Sequence, residues 1–152
     1  MKVLIIDNNP INRKIMNARM REQTVMIIDG LLEAPNRIMG AMLIEAIDFD
    51  LVIIGGGLSN VLPDGTMDTG DGVSLIEQSL KKNRLANVVL WSDKAQLQDQ
   101  FQELLLTYKC EEQTHLCWKK QVSLQEIEEN LLLIGLMHWQ KFSKQREFAD
   151  IF

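Results

Sequence analysis

Apolar runs of strand length recur along the chain with helix-length intervals between them. The runs are continuous rather than alternating, which is typical of strands whose two faces are both covered by helices in a parallel sheet. We therefore predict an α/β fold built on one doubly wound, five-stranded parallel sheet. The predicted strands are Lys2–Ile6, Thr24–Ile28, Asp50–Ile54, Asn87–Ser92 and His115–Trp118.

The intervals between these runs carry apolar residues at turn spacing, which predicts helices. In the first helix, Ile11, Ile15 and Met16 are expected to form the buried face. The last helix begins at an S-x-x-E capping box, Ser123 to Glu126, and its apolar positions extend it unusually far. The predicted helices span residues 11–22, 37–47, 73–82, 95–108 and a final segment from about 123.

Length and charge restrict the classes of function. A chain of 152 residues, 46% hydrophobic and 24% charged, suggests one globular domain, here residues 1–142, followed by an apolar tail at 143–152. The formal net charge of -5 argues against nucleic acid or an acidic membrane surface as the main partner. No apolar run approaches the roughly 20 residues of a membrane span, and the N-terminal run is too short for a signal peptide. We expect a cytoplasmic protein.

The stretch DLVIIGGGLSN joins the third strand to three glycines, as a phosphate-binding turn would. A dinucleotide fingerprint needs G-x-G-x-x-G after the first strand, but here the third glycine position is Asn60 and the following residues read as loop. The G-x-x-x-x-G-K-[ST] motif is absent as well. Cys110 and Cys117 lack the spacing of a zinc site and are expected to be reduced thiols. We predict no cofactor.

Four segments together resemble response-regulator receiver domains of the chemotaxis-regulator type. VLIIDNNPINRKI is similar to the start of that family, DLVIIG to its third strand, VVLWSDKA to its fourth and WKKQVSLQEI to its fifth. The resemblance covers roughly residues 1–130 and implies a flavodoxin-like (βα)5 receiver fold with an extended last helix. It also implies a phosphorylation pocket at the carboxyl ends of the strands, formed by Asp7, Asn8, Gly55, Ser92 and Lys120.

The chain departs from the receiver pattern at the residues that carry its chemistry. The family's phosphoacceptor aspartate corresponds to Gly55, and its second acidic residue corresponds to Asn8. Asp7 alone is a weak candidate for Mg²⁺, which needs several oxygen ligands. Cys117 takes the place of the aromatic switch residue, and Gln121 that of a proline. We therefore predict a pseudo-receiver that is not an enzyme and whose pocket is vestigial.

The lysine position has two candidates, and the lysine has two possible roles. Lys120 is preferred because it places SLQEI at the start of the last helix, whereas a slip of one residue would select Lys119. Lys120 is expected to form an ion pair with Asp7 across the strand ends. Alternatively, it could bind an anion together with Ser92, which would make the protein a small-ligand sensor.

The predicted function is a phosphorylation-independent protein–protein interaction module in signalling. The resemblance implies a kinase, another regulator or an output protein as partner, and the apolar last helix suggests a homodimer. A further alternative is a phosphoacceptor that uses an acid of the long loop at 56–71, either Asp64, Asp68 or Asp71. The predicted interaction surface consists of Leu131, Leu132, Ile134, Leu136, Met137, Trp139, Phe148 and Phe152.

Overall fold

Strands and helices alternate along the chain in a computed structural model that describes residues 1–56, 58, 60–61, 67–68, 72–83, 86–109 and 113–135. A short 3-10 turn at Thr114–Leu116 precedes the last strand. None of the described helices is long and apolar enough to cross a membrane. The elements are β1 Lys2–Ile6, α1 Pro10–Glu22, β2 Gly30–Ala34, α2 Arg37–Ala46, β3 Leu51–Gly55, β4 Asn60–Val61, β5 Met67–Asp68, α3 Val73–Lys82, β6 Asn87–Trp91, α4 Ala95–Lys109, β7 Cys117–Trp118 and α5 at 124–135.

The main sheet has five parallel strands in the order β2-β1-β3-β6-β7. This is the flavodoxin-like order, so the predicted fold class is confirmed. All five residues of β3 are buried, as expected for a central strand between two helical layers. Because the strands are parallel, the carboxyl ends of β1, β3, β6 and β7 lie side by side at one edge.

The second strand was predicted at the wrong place. Thr24–Ile28 is not a strand, because the Gln23 side chain holds the backbone there in a turn. Its Oε1 accepts hydrogen bonds from the N–H groups of Val25 at 2.9 Å and Met26 at 2.8 Å, and its Nε2 donates to the Met26 carbonyl at 2.6 Å. The strand beside β1 is Gly30–Ala34 instead.

Helix α1 forms as predicted, and of the three residues expected on its buried face Met16 is buried whereas Ile11 and Ile15 are not. Ile11 and Ile15 are 66% and 45% exposed, whereas Met16 and Met20 are almost fully buried. Each pair is one turn apart, and the two pairs lie on opposite sides of the helix. Two flexible methionines thus fill the space between α1 and the sheet, and two isoleucines face outward.

The segments after β3 agree with the prediction in outline. The long loop predicted after β3 contains a short antiparallel hairpin, β4 with β5, which the sequence pattern did not predict. The predicted strand His115–Trp118 is half a 3-10 turn and half β7. The largest buried side chains of the core include Trp91, Trp118 and Phe101.

The last helix begins where its capping box predicted, with Ser123 Oγ accepting from the Glu126 N–H at 3.1 Å. Leu131 and Ile134, which were assigned to the interaction surface, are instead buried in the core of the domain. Leu132 and its neighbour Leu133 are 55% and 48% exposed. The outward face of α5 is therefore narrower than predicted. The remaining residues assigned to that surface, Leu136, Met137, Trp139, Phe148 and Phe152, lie outside the described residues.

Candidate functional site

The carboxyl edge of the sheet brings together the residues that the sequence assigned to the pocket. Asp7 follows β1, Gly55 ends β3, Ser92 follows β6 and Lys120 lies two residues beyond β7. Asn9 caps α1 directly after β1 by accepting from the Ile11 N–H at 2.9 Å, which begins the helix at this edge. The turn between β1 and α1 thus starts at the buried Asp7.

Asp7 is almost completely buried, with only 2% of its surface exposed. One carboxylate oxygen, Oδ1, accepts from the Asn9 N–H at 2.8 Å, and the other, Oδ2, lies 2.5 Å from the ammonium nitrogen of Lys120. The Asp7 carbonyl accepts from Arg13 Nη1 at 2.7 Å. Both oxygens of this carboxylate therefore already have partners inside the protein.

Lys120 lies across the edge of the sheet with its side chain 30% exposed. Its ammonium stands 4.1 Å from the centroid of the Trp91 ring, a cation–π distance. The indole N–H of Trp91 points to the carbonyls of Lys119 and Lys120, at 3.1 and 3.3 Å. The Lys120 N–H donates to Asp93 Oδ1 at 3.1 Å. Together with the ion pair to Asp7, these contacts hold Lys120 over the strand ends.

The predicted ion pair between Asp7 and Lys120 is present, and it settles the choice between the two lysines. Lys119 is exposed, whereas Lys120 reaches the pocket. Trp91 immediately precedes Ser92 and is expected from the sequence to flank the pocket, as it does. Asp93 and Arg13 were not assigned to the site from the sequence.

Gly55 contributes no side chain, and the space beside it is filled. A Cβ built on this residue would lie 2.5 Å from Asp7 Oδ2 and 3.0 Å from Asp7 Cγ. These are shorter than any ordinary contact, so a side chain at position 55 requires Asp7 to move. The carboxylate that pairs with Lys120 thus lies against the bare backbone of Gly55.

Ser92 has a structural role in this arrangement. It is 3% exposed, and its hydroxyl oxygen accepts from the Lys94 N–H at 3.1 Å. Its carbonyl accepts from Gln98 Nε2 at 2.8 Å, and its N–H donates to the Trp118 carbonyl at 2.9 Å. Ser92 therefore ties the end of β6 to both β7 and the start of α4. Asn8, the remaining predicted pocket residue, is exposed.

The described residues contain no group of three or more His, Cys, Asp or Glu side chains that could hold a metal ion. Asp7, the weak candidate, is neutralised by Lys120. A divalent cation would have to displace that ammonium and still find further oxygen ligands. The side chains of Asp64, Asp68 and Asp71 lie outside the part of the chain that the structure describes, so the alternative phosphoacceptor in this loop stays a prediction.

Cys117, at the predicted switch position, is partly buried beside α4. Its Sγ accepts from Gln102 Nε2 at 3.3 Å. Burial raises the pKa of the thiol above its ordinary value, and the hydrogen bond from Gln102 opposes this only in part. The thiol is thus a neutral packing group and a poor nucleophile at neutral pH.

No protein-family model and no curated protein matches the chain. Among solved structures, it is similar to the CheY-like response regulator receiver domain protein from Methanospirillum hungatei, with 15% identity, 92% of this chain and 97% of that chain covered and a TM-score of 0.67. The signal receiver domain of an HD domain-containing protein from Pseudomonas fluorescens is 14% identical, with 91% and 97% covered and a TM-score of 0.66. The chemotaxis protein CheY4 from Vibrio cholerae is 10% identical, with 88% and 97% covered and a TM-score of 0.61. This likeness shows the CheY-like fold.

Proposed function

We propose that this chain is a receiver-type signalling protein that binds its partners independently of phosphorylation. Its fold is that of receiver domains, and the four strand ends that carry receiver chemistry are occupied by Asp7, Gly55, Ser92 and Lys120. The observation that supports phosphorylation independence is the Asp7–Lys120 ion pair, which lies against Gly55 where the phosphoacceptor is expected.

Phosphoryl transfer to a receiver needs a free carboxylate nucleophile, a divalent cation and a lysine available to the phosphoryl oxygens. Position 55 supplies no nucleophile. The only buried carboxylate of this edge among the described residues has Lys120 as its partner, so each group satisfies the other. The same pairing argues against anion sensing, because an anion would compete with Asp7 for the ammonium.

Binding through exposed apolar side chains remains the function that this architecture serves best. The partners that the receiver resemblance implies are a kinase, another regulator or an output protein. Docking would then depend on the shape and the apolar area of the helical surface, with no charge switch in the pocket. The chain would act as a constitutive adaptor within a signalling system.

Trp91 provides a direct test, because Lys120 stands over its ring. Beryllofluoride with Mg²⁺, a phosphoryl mimic, should leave the tryptophan fluorescence unchanged at all concentrations. Lys120→Met should change the emission and so prove that the reporter senses the pocket, whereas Lys119→Met, at an exposed site, should not. A saturable, Mg²⁺-dependent change in the natural chain would overturn the proposal.

Mass spectrometry after incubation with a small phosphodonor and Mg²⁺ tests the loop acids at 56–71 at the same time. We expect no added phosphoryl group. Gly55→Asp, which returns a carboxylate to the expected position, is the matched variant. It should also stay unmodified, because the new carboxylate would compete with Asp7 for Lys120 and Asn8 brings no second acid for a metal ion. Phosphorylation of the natural chain at any acid would contradict the proposal.

A further inference from the structure

Helix α1 carries an exposed stripe opposite its buried methionines. The stripe consists of Ile11, Lys14, Ile15, Ala18 and Arg21, whose spacing places them on one side of the helix, and all five are exposed. Two of the four basic residues of the helix, Lys14 and Arg21, are exposed, whereas Arg13 and Arg19 donate to the carbonyls of Asp7 and Val122. The stripe is thus apolar in the middle and basic at its margin.

Helix α5 carries a stripe of the opposite charge. Its exposed positions are Gln125, Glu126, Glu129, Leu132 and Leu133. Residues 124–135 include three acids and no basic residue, a net charge of -3. Its first half is acidic and its second half apolar, and both halves face away from the buried Ile127 side of the helix.

The two helices lie next to each other on the same side of the sheet. The Arg19 guanidinium of α1 donates to the Val122 carbonyl just before α5, and Thr24 Oγ1 donates to Glu128 of α5 at 3.1 Å. Each helix follows a strand of the parallel sheet from the same edge, α1 after β1 and α5 after β7, so the two helices run in the same direction. Their exposed stripes therefore form one continuous surface, the α1–α5 face.

We propose that the α1–α5 face binds a second copy of this chain, with α1 of each copy against α5 of the other. A two-fold axis between the helices and along their direction produces this arrangement and places the helix with the exposed Lys14 and Arg21 against the helix with the exposed Glu126 and Glu129, twice. A two-fold axis across the helices would instead place α1 on α1 and α5 on α5, like charge on like charge. This inference rests on the proposed function, since it names one binding partner.

The size of the face suits a reversible dimer. A helix of 13 residues is about 20 Å long, and two neighbouring helices with axes about 10 Å apart present a face about 20 Å wide. Such a face buries area near the low end of specific interfaces, the size range of weak and reversible complexes. Dimerisation should therefore depend on concentration and weaken as salt screens the charges.

Charge exchange tests the pairing of α1 with α5. Lys14→Glu with Arg21→Glu makes the α1 stripe acidic, and Gln125→Lys with Glu129→Lys makes the α5 stripe basic. By analytical ultracentrifugation, each double variant alone should be monomeric where the natural chain is dimeric. An equimolar mixture of the two should dimerise, because both α1–α5 contacts then pair opposite charges. A mixture that stays monomeric while the natural chain dimerises would overturn this pairing.

Apolar substitution locates the face independently of charge. Ile15→Ser should abolish dimerisation, and at concentrations where the natural chain is monomeric it should leave the midpoint of thermal unfolding unchanged, because this side chain is exposed in the monomer. Met42→Ser, at a 62% exposed position on α2, is the matched control and should leave the dimer intact. A natural chain that is monomeric at all concentrations, or a dimer that only Met42→Ser disrupts, would refute the inference. Neither result touches the proposed phosphorylation independence, which the beryllofluoride titration tests separately.

Discussion

Removing the charge of Lys120 should destabilise the protein more than removing the charge of Asp7. In Lys120→Met, the Asp7 carboxylate stays 3% exposed and keeps one hydrogen bond to Oδ1, from the Asn9 N–H. In Asp7→Asn, the ammonium of Lys120 stays over Trp91 on a side chain that is 30% exposed and can therefore reach water. The two single substitutions thus leave charges with unequal access to solvent.

The burial of Asp7 and Lys120 sets the size of the expected losses in the free energy of unfolding. Removing one partner of a fully buried pair costs about 3–5 kcal/mol, whereas an exposed pair is worth about 1 kcal/mol or less. Lys120→Met leaves the buried Asp7 carboxylate unpaired, and we expect it to lower the free energy of unfolding by about 3 kcal/mol, the low end of the first range, because Lys120 is partly exposed. Asp7→Asn leaves only the partly exposed ammonium unpaired, and we expect a loss of about 1.5 kcal/mol. The double variant leaves no unpaired charge and should cost about 2 kcal/mol, so the coupling energy should be about 2–3 kcal/mol.

Urea unfolding followed by far-UV circular dichroism measures these free energies without depending on Trp91. With a slope of about 2 kcal/mol per molar urea, Lys120→Met should lower the unfolding midpoint by about 1.5 M. The control Lys119→Met, at an exposed neighbour, should stay within about 0.5 kcal/mol of the natural chain. The reasoning would be refuted if the effects of Asp7→Asn and Lys120→Met on the free energy of unfolding added up within about 0.5 kcal/mol in the double variant. It would also be refuted if Asp7→Asn lowered that free energy more than Lys120→Met does.

Three further predictions concern other parts of the structure. Lys82 donates to the Ile44, Glu45 and Ile47 carbonyls at the end of α2, so Lys82→Met should lower the free energy of unfolding in urea by about 1–2 kcal/mol. Lys81→Met, next to it and 61% exposed, is the control and should leave the unfolding midpoint in urea unchanged. Because burial raises the pKa of Cys117, its alkylation at pH 8 in a Cys110→Ser chain should be slower in the folded chain than in the chain unfolded in urea. Alkylation of the folded chain should accelerate as the pH rises above the ordinary thiol pKa, and equal rates in folded and unfolded chain would contradict this. A Cβ at Gly56 would lie 2.5 Å from Leu97 Cδ1 and 2.6 Å from Ser92 Oγ, so Gly56→Ala should lower the thermal midpoint, and an unchanged midpoint would show that these neighbours have room to move.

The fold could be predicted because its strongest signals are local. Continuous apolar strands, a Pro and Asn helix start and a Ser123–Glu126 capping box each act within a few residues. The second strand failed because Thr24–Ile28 has strand-like composition, while a hydrogen-bonding side chain outside the run, Gln23, decides its conformation. The composition of a run gives no information about a hydrogen bond from a residue outside it.

The sequence predicted the pairing of Asp7 with Lys120 but not the packing around it. The order of strands in the sheet brings Asp7 and Lys120 together, so their ion pair follows from the fold class. The place of Trp91 beneath the ammonium depends on side-chain directions across two strands, which the sequence pattern leaves open. The same holds for α1, where apolar residues lie on both sides of the helix and burial alone distinguishes Met16 from Ile15.

The crowding at Gly55 bears on how this edge of the sheet could change in evolution. A single substitution to aspartate would introduce a side chain within 2.5 Å of Asp7 Oδ2, beside a lysine that can neutralise only one of the two acids. Under the proposed phosphorylation independence, the first step toward an acceptor would therefore reduce stability before it gave any advantage, and a metal site would require at least one more change, at Asn8. On that proposal, chains derived from this one would be expected to diversify their surfaces rather than to acquire phosphoryl chemistry in the pocket.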